Sequence, residues 1–371
     1  MAFIRENLLK IVIFIVILIV VIIIFAFVFS GKKLGKTSSY SSMEQDMVNA
    51  TAKYLNDNPR LKPTGDEVSK VNLDTLENSN YLSQFSAIED SNVKCSGYTE
   101  ITLVNNEYDY VPYLKCGKYY ETKTLANYIK ENEPVVTSGD GLYKVGDTYI
   151  YKGELPNNYL KIENRLYRII DIKDNDIKLI AMDKLLSYFT WDDRYNTEKA
   201  ENVGINDYSK SRLKETFDYI TKYNLTNEDD EEKVFSDTEL EKIVNHDVCI
   251  GKRPTSLGDI SSTNECNKVE INQKVSLISV SEYARASIDP NCKTIFDPSC
   301  ANYNYFSTIT DSFKTVTATS DNTYEIYTIE SGVAELENAY RQFPVNMVVH
   351  LGSSSLYSDG DGTLEKPYIV R

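Results

Sequence analysis

NYLKIENRLYRIIDIKDNDIKLIAMDKL, residues 158–185, holds the densest strand signal in the chain. YLKIENRLYRIIDI and DIKLIAM alternate or run apolar on either side of Lys173-Asp174-Asn175-Asp176, residue types that build tight turns. GLYKVGDTYIYKG, just upstream, reads the same way. Downstream, Leu213, Phe217 and Ile220 mark a helix by their spacing. Ser236-x-x-Glu239 caps a second helix, with Leu240, Ile243 and Val244 on its face, and Ser279-x-x-Glu282 caps a short third. NEDDEEK, 227–233, is a solvated loop by its charge. Many short strands with scattered helices predict a mixed α+β domain over 138–371.

Upstream, CSGYTEITLVNNEYDYVPYLKC runs from Cys95 to Cys116. A turn at Asn105-Asn106 sets the two cysteines opposite each other across a hairpin and predicts a Cys95–Cys116 disulfide. Ile101 and Leu103 then share a face with Tyr110 and Tyr108, because strand side chains alternate with period two. Before it, Ser41-x-x-Glu44 reads as a capping box. Met43, Met47, Ala50, Tyr54 and Leu55 give a helical packing stripe that Asn58-Pro59 stops. Earlier still, IVIFIVILIVVIIIFAFVFSG, 11–31, carries no charge and no proline. A bilayer core of about 30 Å needs about 20 such residues, so an uncleaved transmembrane helix is expected.

Charge and cysteines bound the compartment. The chain carries a net −15, while its first 36 residues hold five basic side chains and one acid, leaving −19 for the remainder. So acidic a region repels nucleic acid, which excludes nucleic-acid binding. Lys32, Lys33 and Lys36 follow the apolar run and outnumber Arg5 and Lys10 before it, an orientation signal opposed to export. Six cysteines without metal-ligand spacing favour disulfides and an extracellular placement. Proximity pairs Cys249 with Cys266 and Cys292 with Cys300, although six cysteines allow 15 connectivities.

Two resemblances add to this reading. The anchor, the amphipathic helix, VNLDTLENSNYL and the clamped hairpin resemble the layout of type IV pilin-like proteins. The block Cys95, Gly97, Tyr98, Tyr113, Leu114, Lys115, Cys116 and Gly117 is similar to one in Firmicutes surface proteins. A prepilin cleavage signal is absent from MAFIRENLLK, so the module is read as a spacer. Residues 140–371 resemble a bacterial surface-domain family of unknown function related to C-type-lectin-like and formylglycine-generating-enzyme-like folds. The resemblance rests on Leu166-Tyr167-Arg168-Ile169-Ile170, NDYSKSRLKETFDYI, VSLISVSEYARAS and the closing VVHLGSSSLYSDGDGTLEKPYIV. It implies a fold whose first and last strands pair. Of that family's tryptophans only Trp191 remains. The expected fold class is α+β: an N-terminal transmembrane helix, a small pilin-like α+β module with a disulfide hairpin, and a distal mixed α+β lectin-like domain. The expected segments are a cytoplasmic tail 1–10, a transmembrane helix 11–30, a linker 31–40, the module 41–137 and the distal domain 138–371.

Chemistry-bearing residues are sparse. His350 lies in MVVHLG and reads as a core histidine, and His246 sits near Cys249, a cysteine assigned to a disulfide. No His/Cys cluster has zinc spacing. Trp191, Asp192 and Asp193 combine an aromatic with two acids as sugar sites do, but adjacent side chains diverge; the three are kept as candidate ligand contacts. Asp359 and Asp361, in SDGDGTLEKPYI, lack the bidentate Glu of a calcium loop and are at most weak calcium candidates. No enzyme activity and no cofactor is expected. The leading expectation is a membrane-anchored, non-enzymatic surface protein binding a glycan or protein through loops rich in its 28 tyrosines. The alternatives are a structural or pilus-associated component and, third, a carbohydrate-active enzyme.

Overall fold

The computed structural model describes residues 39–371 apart from 66, 105–106, 226–232 and 311. The predicted transmembrane helix 11–30 lies outside the described residues. Among those described, no helix is long and apolar enough to cross a membrane. The expected fold class is corrected accordingly: the architecture is a strand-rich mixed α/β chain, 23% helix and 35% strand. The chain divides into two units, one ending at Thr122 and the other spanning Lys123–Arg371.

In the first unit, helix α1 (Tyr40–Asp57) lies over a sheet built of β1 (Ser69–Asn72), β2 (Ser96–Val104), β3 (Glu107–Cys116) and β4 (Tyr120–Glu121), with α2 (Leu73–Asn78) after β1. The α1 cap is Ser39, whose hydroxyl accepts from Ser42 N at 3.1 Å, rather than the expected Ser41. Glu44 is buried instead of capping, and accepts from the Tyr120 hydroxyl at 2.9 Å and from Thr122. The hairpin register is the predicted one, with Ile101 opposite Tyr110 and Leu103 opposite Tyr108. Cys95 and Cys116 are bonded and pack in a core with Met43, Met47 and Leu114. Gly97 is required by this pairing: a Cβ there would stand 2.1 Å from Tyr113 O.

The second unit opens with α3 (Leu125–Asn132), which the sequence reading assigned to the module before it. Leu125, Ala126 and Ile129 join the main core of this unit. Strands β5 (Gly141–Val145), β6 (Thr148–Lys152), β7 (Tyr159–Ile162), β8 (Arg165–Lys173) and β9 (Asp176–Ala181) follow. β8 is the axis of the sheet: it pairs β7 and β6 along one edge and β9 along the other. Its Ile169, Ile170 and Ile172 pack with Ile177, Leu179 and Ile180 of β9 in the buried core. The β8–β9 turn is the predicted one, with Asp174 at φ 51° and Asn175 at φ 70°, values that Asp and Asn tolerate best among residues with a Cβ.

Beyond β10 (Leu186–Phe189) come α4 (Arg212–Tyr223), with Leu213, Phe217 and Ile220 buried as predicted, and α5 (Asp237–Lys242). Then follow β11 (Ile243–Val244), β12 (His246–Cys249), β13 (Val269–Gln273) and α6 (Val280–Ala286). Both expected capping boxes form, at Ser236/Glu239 and Ser279/Glu282. Ile243 and Val244, expected on the helix, lie in β11. Strands β14 (Ser312–Ala318), β15 (Glu325–Glu330) and β16 (Val333–Asn338) make a separate sheet, and β17 (Phe343–Val345) pairs β10.

β18 (Val348–Leu351), β19 (Tyr357–Asp359) and β20 (Tyr368–Val370) complete the main sheet in the order β11-β18-β9-β8-β7-β20-β19. β5 pairs β6, whereas β20 lies between β7 and β19, so the pairing of first and last strands expected of a lectin-like fold does not form. The ends of the unit meet elsewhere: Leu125 N donates to Ser355 O at 2.8 Å, and Tyr128 stacks on Tyr357. Cys249–Cys266 and Cys292–Cys300 are both bonded, as proximity predicted.

Replacing Cys95 and Cys116 with alanine is expected to lower the unfolding free energy of the first unit by about 3 kcal/mol, the loop-closure value for a chain segment of this length. Urea unfolding reads this directly; a loss under about 1 kcal/mol would assign the hairpin to its backbone ladder instead.

Candidate functional site

The β7–β8 connection is a two-residue turn, Glu163-Asn164, closed by Ile162 opposite Arg165. Glu163 stands at φ 49°, a conformation uncommon for a residue with a Cβ. The Thr238 and Ser236 hydroxyls, at the start of α5, hold its carboxyl below the usual carboxylate range. Turn and helix start thus lie side by side and feel each other's polar groups.

Arg165 extends that tie. Its Nη1 donates to both oxygens of Glu239, at 3.1 and 3.0 Å, its Nε to Asp183 at 3.1 Å, and its Nη2 to Val234 O at 2.9 Å. Glu239, buried, also receives the Tyr167 hydroxyl and the Ser236 backbone N–H. Burial, then Glu239, push the Tyr167 phenol upward, so it stays a donor. These residues come from β8 and its flanking turn, from the segment after β9 that carries Asp183, and from α5 with the residues leading into it.

Two grooves flank the turn. One, of about 570 Å3, is lined by Ile162, Glu163, Arg165, Met182, Asp183 and Glu239 among others. The second, of about 550 Å3, is lined by Lys161, Asp359, Leu364, Glu365, Lys366 and Pro367 among others. Asn164 and Leu166 line both. Each has the size of a small-ligand site. The Asn164 carboxamide is exposed and makes no hydrogen bond with any described residue.

The Gly-Asp-Gly segment forms the wall of the second groove. Asp359 accepts from Gly360 N at 2.7 Å and pairs with Lys366 at 3.2 Å, while Asp361 accepts from Thr363 N and its hydroxyl. A Cβ at Gly360, φ 101°, would stand 2.1 Å from Pro367 O. The two aspartates therefore each cap a turn through Oδ1. Among the described residues the grouping with metal-ligand reach is Glu330, Glu335 and Glu337, and Arg341 already bridges two of these.

Trp191, Asp192 and Asp193 do not form a joint contact surface. Trp191 is fully buried and donates from Nε1 to Thr315 O at 3.2 Å. Asp192, also fully buried, accepts from Arg194 Nε at 2.8 Å and Ile205 N at 2.9 Å. Asp193 points outward to Arg212 at 3.1 Å. The first two are thereby removed from the candidate ligand contacts, because core packing and a buried ion pair consume them.

The chain's two histidines meet, which their separation in sequence hid. Their rings stack at 3.8 Å, and His246 Nε2 lies 3.1 Å from the Ser276 hydroxyl. His350 is half-buried and its Nε2, which is buried, has no hydrogen-bond partner, so the expected satisfied core histidine is neither fully buried nor satisfied at that atom. His350 pairs in register with Lys178, and Lys178 with Asp171, which makes a polar row across β18, β9 and β8. Lys178 is paired to Glu282 of α6. Burial, then Lys178, push His246 down to about 3, and burial, then His246, push His350 well below the ordinary range. Burial raises Asp171 to about 6 against the opposing charge of Lys178.

Compared with known proteins, the chain matches no family model, no curated protein and no solved structure. The site's meaning therefore rests on its own geometry. Sequence reading missed Arg165, Tyr167 and Glu239 as a unit; the only signal was the capping box, which explains Glu239 without its partners.

Arg165→Met is expected to cost about 3 kcal/mol, because it leaves Glu239 buried without its cation; urea unfolding measures it, and Glu239→Gln in the same background should recover part of the loss. The folded pKa values of both histidines lie below the ordinary 6.5, so the neutral pair contributes stability above about pH 6.5 that is lost as pH falls toward about 3. Asp171 acts oppositely: its stability contribution is full below 3.8 and is lost as pH rises through about 6. NMR titration should find both imidazoles neutral down to about pH 5, and a ring titrating near 6.5 refutes the burial argument.

Proposed function

We propose that this chain is an extracytoplasmic, non-enzymatic binding protein whose ligand sits in the grooves flanking Glu163-Asn164. The carrying observation is the rigid wall between them: a turn whose flanking arginine spends its hydrogen bonds on Glu239, Asp183 and Val234, fixed before any ligand arrives. Such pre-ordering lowers the entropy cost of binding. Three disulfides support the placement outside the cytoplasm. Both linings mix polar and apolar groups, which suits a ligand held by several weak contacts in concert.

Screening the full chain on arrays of glycans and peptides tests this. Asn164→Trp, which fills the rim shared by the grooves, should reduce capture of the bound ligand by about tenfold while far-ultraviolet circular dichroism is unchanged. Undiminished capture by the folded variant would place the binding site elsewhere.

A further inference from the structure

We infer that the ligand of these grooves is a basic, extended peptide segment rather than a glycan, an inference that rests on the groove reading above. The first groove is lined by three carboxylates, Glu163, Asp183 and Glu239, and by one cation, Arg165, a net of −2. Arg165 faces inward, bonded on each of its three nitrogens to Glu239, Asp183 and Val234 O. At most one of its five N–H groups is therefore left for an anionic ligand. Asp183 gives Arg165 one oxygen and keeps about half of its side-chain surface open, at 52%. Glu163 is exposed and forms no ion pair among the described residues; the Thr238 and Ser236 side chains, and more weakly the charge of Lys242, lower its carboxyl. Two carboxylates thus face the groove without full neutralisation, and the complementary ligand group is a cation.

The second groove differs in charge and adjoins the first. Lys161 and Lys366 balance Asp359 and Glu365 there, a net of zero. Leu364, 53% exposed, and Pro367 supply apolar surface. A ligand reaching both grooves therefore meets an acidic half and a neutral, apolar half, with Asn164 between them. A carboxamide offers one acceptor and two donors side by side, the complement of a peptide unit's N–H and C=O. Sugars are gripped in part by stacking their C–H faces on aromatic rings, and no aromatic side chain lines either groove among the described residues. Side-chain pockets beside a backbone-reading amide are the recurring elements of extended-peptide recognition.

The test uses the full chain and three probes: a capped hexapeptide alternating leucine and lysine, its leucine–glutamate counterpart, and cellohexaose. The lysine peptide should bind about tenfold more tightly than the glutamate peptide in fluorescence anisotropy at 0.15 M salt, roughly physiological screening. Glu163→Gln with Asp183→Asn should weaken it by about fivefold or more, and Asn164→Ala should weaken both peptides alike. Asp218→Asn with Glu335→Gln removes the same charge from residues that line neither groove and should change affinity less than about twofold. Equal weakening by that remote pair would reduce the effect to bulk attraction by an acidic protein and overturn the proposal. Cellohexaose binding that Asn164→Trp abolishes, with no peptide bound, overturns the peptide assignment and leaves the groove reading standing. Binding of any probe undisturbed by Asn164→Trp overturns both.

Discussion

Arg165 and Glu239 lie 74 residues apart, and their bidentate pair is the contact on which the surrounding geometry depends. Removing two such charges from water is costly, and the cost is offset only when the remaining lone pairs and donors are also satisfied. Here they are. Glu239 completes the capping box of its own helix and takes the Tyr167 hydroxyl, while Arg165 reaches Asp183 and a backbone carbonyl as well. The guanidinium also stands 5.5 Å from the Phe235 ring centre. One carboxylate therefore fixes a helix start, a central strand and a turn at once. The left-handed Glu163 persists because its neighbours over-determine it.

The same strategy recurs where the loops are longest. Arg253 and Glu265, both fully buried, pair at 2.9 Å beside the Cys249–Cys266 link, and Arg253 also reaches the carbonyls of Leu257, Asp259 and Ser261. Arg168, fully buried, is held by neutral groups instead: Asn158, Tyr159 and Thr308. Burial lowers its pKa. Chains that must order long irregular segments with few helices need such fixed polar knots, because each loop carbonyl left in the interior would otherwise lack a donor. Disulfides serve the same segments by narrowing the unfolded ensemble.

Local signals were legible in the sequence and long-range ones were not. The Cys95–Cys116 register followed from counting across one turn, and Asp174-Asn175 announced itself by residue type. Glu163-Asn164 did not, since glutamate is a poor marker for positive φ. The stripe Leu125, Ala126 and Ile129 states that a face is buried but not against what, and in the structure it joins the core of the unit that begins at Lys123. Trp191-Asp192 looked like a surface pair because tryptophan beside two acids is polar on average. What buries it is Arg194 together with the backbone N–H of Ile205, and neither is visible as a partner in one dimension. The stacked histidines failed in the same way: β12 and β18 are distant in sequence and belong to different sheets, and the pairing of β11 with β18, Val244 opposite His350, is what delivers His246 two residues later beside it.

The Gly-Asp-Gly segment shows how one motif can be structural and still shape a site. Asp359 and Asp361 each commit Oδ1 to local groups, the first to Gly360 N and Lys366 and the second to Thr363. That expenditure lets the chain reverse between β19 and β20 within a few residues, and the reversal raises Leu364 beside Pro367 as an apolar lip. Across Asn164, the acidic groove is fixed by Arg165 rather than by glycines. The two halves of the site thus take opposite routes to rigidity, one through backbone turns and one through a buried ion pair. Their difference in charge follows from that division: the turn neutralises its own aspartate with Lys366, whereas Arg165 is outnumbered by the carboxylates around it.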